Sequence, residues 1–157
     1  MHKIWSSNLS RDFKLEIFQA TVEHILLYGS ETWTLSKKVE RRLDGTYTRL
    51  LMRAQNLSWK QHPTKAQIYG KLPPVSSLVK GRRVQFAGHC CRAENEVIST
   101  LLLWKPSSRN TRGRTLSYPD VISRDTGIQK QDLRNAMMDR EVWRNLVNSI
   151  VSTTVEQ

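Results

Sequence analysis

His89, Cys90 and Cys91 are the residues of this chain whose types come nearest to a metal site. Zinc takes four tetrahedral ligands, usually supplied in pairs two to four residues apart. Neighbouring residues on a helix point about 100° apart, so Cys90 and Cys91 are badly set to share one ion. His24 and His62 would have to come from distant parts of the chain. The expectation is a buried Cys90 beside a partly exposed His89, with no metal. Nucleophilic chemistry fares no better. Ser30 lies in Gly-Ser-Glu, not in a nucleophile elbow. There is no glycine-rich phosphate loop, and no adjacent pair of aspartates to hold two catalytic metals. The carboxylates at 12, 16, 23, 31, 40 and 44 mostly alternate with basic residues, which favours surface ion pairs. No catalytic residue and no cofactor is expected.

Positive charge is what the sequence supplies in quantity. The net charge is +11. Residues 1–57 carry +3, residues 58–116 carry +9, and residues 117–157 carry −1. A charge needed only for solubility would be spread out, whereas a concentrated block suits a polyanion, most often nucleic acid. The candidate phosphate contacts are Lys80, Arg82, Arg83, Arg92, Lys105, Arg109, Arg112 and Arg114. Arg112-Gly113-Arg114 has the core of a minor-groove hook, although Thr111 and Thr115 flank it. The partner these residues imply is RNA or DNA, held through phosphates without sequence preference. Nothing in the sequence reads as a base-reading helix or a stacking platform.

The elements that must position these residues read as all-α. The first helix runs from the cap Ser10 to Gly29, which suits a left-handed C-terminal position. At 100° per residue, Phe13, Ile17, Ala20, Leu27 and Tyr28 form one apolar stripe, and Leu15, Phe18, Val22, Ile25 and Leu26 form another. Only Glu16, Gln19 and Glu23 make a polar strip, so this helix reads as buried. A second helix spans 36–54, with Val39, Leu43, Tyr47, Leu50 and Leu51 inward and Lys38, Arg41, Arg42, Arg49 and Arg53 mostly off that stripe. Capping-box spacing opens a short helix at Thr64 that stops near Gly70. Further helices span about 76–92, 94–103 and 131–151, with a short one after Pro119, and 105–115 is a loop. The organisation expected is a helical segment over 1–70, a basic helix and loop region over 71–116, and a C-terminal helical segment over 117–157. A length of 157 residues with 38% hydrophobic content and five Trp supports a core. No apolar run reaches the ~20 residues of a membrane span, and no secretory leader is visible. Two adjacent Cys suit a reducing, intracellular setting, cytoplasmic or nuclear.

Five strings in order then matter more than any one alone. ILLYGSETW (25–33), RRLDGTYTRLLMRAQNLSW (41–59), GRRVQFAGHCCR (81–92), the RGR at 112–114 and DREVWRNLV (139–147) together resemble the C-terminal part of non-LTR (LINE-type) retrotransposon reverse transcriptases. The resemblance covers nearly the whole chain, although Pro119 departs from it. It implies a thumb-like helical bundle that grips a template–primer duplex, followed by the basic loop region and a C-terminal helix. The palm and the endonuclease of that family lie upstream, so the resemblance implies a non-catalytic stub that begins at a chance Met1. A palm domain would be the partner in a longer product. Without it, exposed apolar surface would drive self-association. The alternatives are a helical interaction module or a retroelement relic without function. The purified chain is expected to show no template-directed dNTP incorporation with Mg²⁺ or Mn²⁺. Incorporation that survives repurification would contradict this.

Overall fold

The computed structural model describes residues 2–94, 96–104 and 116–152, which form an all-α fold with no strand among them. No helix of the described residues is long and apolar enough to cross a membrane. The chain divides into two compact units. Among the described residues, the first runs up to Ser30 and resumes over Leu35–Leu78; the second takes Glu31–Thr34 and those from Val79 to Ser152.

The first unit opens with α1 (His2–Trp5) and α2 (Arg11–Phe18). The Ser10 hydroxyl accepts from the Phe13 N–H at 3.3 Å, the cap that the sequence implies. α2 continues through a π-helical turn, Gln19–Glu23, into α3 (His24–Leu26), and Gly29 follows at a φ of 67°. The π turn changes which residues face inward. The buried residues are Lys14, Phe18, Glu23 and Leu27, at spacings of four, five and four. A regular helix would have followed Phe18 with Val22; the extra residue of the π turn brings in Glu23 instead. Two side chains satisfy backbone carbonyls around the turn: Thr21 Oγ1 donates to Ile17 O at 2.6 Å, and His24 Nδ1 to Gln19 O at 2.9 Å.

This corrects the reading of a helix buried on most sides. It lies at the surface of its unit, with Ile25 73% and Tyr28 87% exposed. The 100° projection fails because it assumes one pitch from end to end.

Glu23 does not enter the core unpaired. Its Oε2 accepts the hydroxyl of fully buried Tyr47 at 2.5 Å. Tyr47 belongs to α4 (Lys37–Ala54), which buries Tyr47, Leu51 and Ala54. Its ring meets Phe18 edge-on at a centroid distance of 5.6 Å and lies 6.1 Å from Tyr69 of α5 (Lys65–Tyr69). Burial, and then the bond to Glu23, pushes the Tyr47 hydroxyl far above the usual phenol range.

α6 (Val75–Cys91) gives its first residues to the first unit and the rest to the second. The second unit adds α7 (Glu96–Leu103), α8 (Tyr118–Thr126), α9 (Leu133–Met138) and α10 (Arg140–Ser152). Pro119 stands in the first turn of α8, where its missing N–H costs nothing. The expected single helix over 131–151 is broken at Asp139, whose carboxylate accepts from the N–H groups of Glu141 and Val142, both at 3.0 Å, and so starts α10 afresh. Val84, Ala87, Cys91, Ile122, Leu133, Met137 and Trp143 form the core. The Trp143 indole donates to the Val84 carbonyl at 2.8 Å and lies where a Cβ on Gly88 would stand.

Two stability effects are expected. Tyr47→Phe leaves a buried Glu23 oxygen without its donor and should destabilise by about 1–3 kcal/mol in urea unfolding. Because the folded-state pKa of Tyr47 is raised, its contribution is complete below about pH 10 and is lost as pH rises beyond that. The variant should therefore have a flatter alkaline limb. Gly88→Ala should cost about 1–3 kcal/mol by overpacking against Trp143. Wild-type stability of either variant would contradict the packing described.

Candidate nucleic-acid interface

α4 is capped by Ser36, whose hydroxyl accepts from Val39 N at 3.4 Å. Opposite its buried face it exposes Lys38, Arg41, Arg42, Arg49 and Arg53. At 100° per residue these five fall within about 120° of one another, and the stripe is about 22 Å long. Among the described residues none of the five pairs with a carboxylate. Gly45 lies within the stripe with open space beside it.

The acidic residues of α4 face elsewhere. Asp44 is engaged on the far side, accepting from Ser76 N at 2.9 Å and from Ser76 Oγ at 2.8 Å. Thr48 Oγ1 meets the Tyr69 hydroxyl at 2.6 Å. Together with the Tyr47–Glu23 bond, these contacts fix the rotation of α4 about its own axis. That rotation decides which residues reach solvent.

At its C-terminal end α4 closes in a Schellman turn. Asn56 takes the left-handed position at a φ of 57°, its N–H meeting Arg53 O at 3.2 Å, and Leu57 N–H meets Met52 O at 2.8 Å. A capping box between Ser58 and Gln61 then sets a short 3₁₀ turn, Trp59–Gln61. This turn, the last turns of α4 and Trp5 of α1 enclose an open cleft of about 1010 Å³, whose lining includes Arg49, Met52, Arg53 and Leu57.

The residues expected from the sequence lie elsewhere. Lys105, Arg109, Arg112 and Arg114 lie outside the described residues. Lys80, Arg82 and Arg83 sit on α6, and Arg92 immediately follows it. Around the helix axis these four point in widely separated directions, so they do not make one face. Lys80 and Arg82 are half-buried, and both have partners within the protein. Arg92 Nη1 donates to the Met137 carbonyl.

Arg83 has to be withdrawn from the set. It is 1% exposed, and its Nη1 lies 3.0 Å from Asp125 Oδ2, itself buried. That contact is an ion pair without hydrogen-bond geometry, and Nε and Nη2 have no hydrogen-bond partner. Burial pushes the Asp125 carboxyl up, against the opposing pull of Arg83. A guanidinium so enclosed cannot reach a phosphate. His89 is exposed, and the Cys90 and Cys91 thiols are buried, free and raised by that burial. Among the described residues no three His, Cys, Asp or Glu side chains converge as metal ligands.

The chain is similar to a transposon-derived Caenorhabditis elegans protein. The two are 24% identical over an alignment of 159 positions that covers 88% of this chain and 57% of that relative. This chain thus matches little more than half the length of the relative. That protein is described as uncharacterized. No protein-family model matches the chain, and no solved structure does.

The α4 stripe escapes a reading by segment charge. Residues 1–57 sum to only +3 because Asp12, Glu16, Glu23 and Glu31 on other elements, and Glu40 and Asp44 on the far side of α4 itself, offset the basic residues. A projection of charge around the single helix over 37–54 finds the stripe; a sum along the chain does not.

Proposed function

We propose that this chain is a non-catalytic nucleic-acid-gripping segment derived from a retrotransposon reverse transcriptase, and that α4 of the first unit carries the grip. One observation supports this above the others: Lys38, Arg41, Arg42, Arg49 and Arg53 are exposed along one side of a helix, with no carboxylate paired to them among the described residues. A row of cations on a rigid helix contacts phosphates and carries no base code, so affinity is sequence-independent. A transposon-derived relative and the resemblance of five ordered strings to the thumb and post-thumb region point to the same origin.

A second reading, a helical interaction module, is favoured by Ile25 and Tyr28, exposed three residues apart at the end of the first helix. Salt dependence separates the two. Each phosphate neutralised releases counterions, so five contacts give a slope of log K against log salt of about −4 to −5 on duplex. Changing Arg41 and Arg42 together to Ala should make the slope shallower by about 2 and weaken all sequences alike. A flat salt dependence, or no binding at low salt, would favour the interaction module.

A further inference from the structure

The cleft at the end of the α4 stripe differs in kind from the stripe itself. Trp59 is 70% exposed, yet its backbone is held firmly. The Schellman turn at Asn56, the Ser58–Gln61 capping box and the left-handed His62 fix it on both sides. Trp5, which also lines the cleft, is anchored too, because the buried Lys14 ammonium donates to the Trp5 carbonyl at 3.0 Å. Met52 and Leu57 add apolar lining, Arg49 and Arg53 add two guanidinium groups, and among the described residues no carboxylate lines the cleft.

An indole presented outward on a rigid turn buries little in the fold, and gains most when a flat apolar partner covers it. Two guanidinium groups beside it add a requirement for negative charge. A nucleotide meets both requirements, since its base has a π-face and its phosphate an anion. A base inside a duplex does not, because its neighbours cover both faces. We propose that this cleft takes an unpaired nucleotide at the end of a bound strand, the base stacked on Trp59 and its phosphates on Arg49 and Arg53. The proposal rests on the reading of α4 as a nucleic-acid grip, and adds that the grip prefers a duplex with a single-stranded extension.

The test compares three labelled duplexes by fluorescence anisotropy at one salt concentration: blunt, with a short base-bearing extension, and with an abasic extension of equal length. The abasic strand carries the same phosphates, so it isolates stacking. The base-bearing extension should bind about tenfold more tightly than the abasic one, within the range of one stacked base. Trp59→Ala should abolish that preference and leave blunt-duplex affinity unchanged, and Trp59→Phe should keep most of it. Equal binding of the two extensions, or an equal loss on all three duplexes in Trp59→Ala, would overturn the proposal. Failure of the α4 reading looks different: the blunt duplex then does not bind, or binds without salt dependence. In that event single strands decide. A preference for a base-bearing over an abasic oligonucleotide that disappears in Trp59→Ala supports the cleft, and equal or absent binding overturns it.

Discussion

A buried tyrosine hydroxyl needs a partner, and the hydroxyl of Tyr47 finds one that a regular helix would not have supplied. The carboxyl of Glu23 reaches it because a π turn interrupts the first helix and rotates the following residues by one position. An unsatisfied hydroxyl in that core would cost about 1–3 kcal/mol, and the ring is also packed edge-on against Phe18. The Tyr47–Glu23, Asp44–Ser76 and Thr48–Tyr69 bonds together hold α4 in the rotation observed. Leu51 and Ala54 then face inward, Asp44 faces Ser76, and the five basic residues face solvent. The basic stripe is thus a consequence of packing on the other side of the same helix.

The second unit treats its positive charge in the opposite way. Arg83 is enclosed with Asp125, and much of its hydrogen-bonding capacity is unused. Such a pair gains little net stability, because desolvating two ions offsets their attraction; removing one partner alone leaves an uncompensated buried charge. Arg92 is spent on the Met137 carbonyl. Net charge along a segment therefore misleads when the segment folds into a central helix. α6 is buried over most of its circumference, with Gln85, Phe86 and His89 as its exposed positions. Basic residues on such a helix serve its neighbours before they serve a ligand.

Much of the fold is legible in the sequence because its signals are local. Ser10 and Thr64 cap the helices that they were expected to cap, and Gly29 takes its left-handed turn. The all-α class follows from the same periodicity. What is not legible is what depends on contacts. No propensity announces a π turn at Gln19–Glu23, and without it Glu23 is read as a surface residue and Val22 as core. The break at Asp139 was legible in principle, since an aspartate ahead of Glu141 is a good cap, but a continuous apolar stripe overrode it. The burial of Arg83 depends on Asp125, some forty residues away. The cleft by Trp59 depends on α1 lying near the end of α4. The sequence reads Trp59 as the end of a resemblance string, with nothing to mark it as a platform.

Arginine and lysine footprinting by mass spectrometry, with and without bound duplex, addresses most directly whether α4 is the contact surface. Protection of Lys38, Arg41, Arg42, Arg49 and Arg53, with Arg83 unreactive in both states, is the result expected. Protection confined to residues 105–114, with the α4 stripe equally reactive in the free and bound protein, would contradict it.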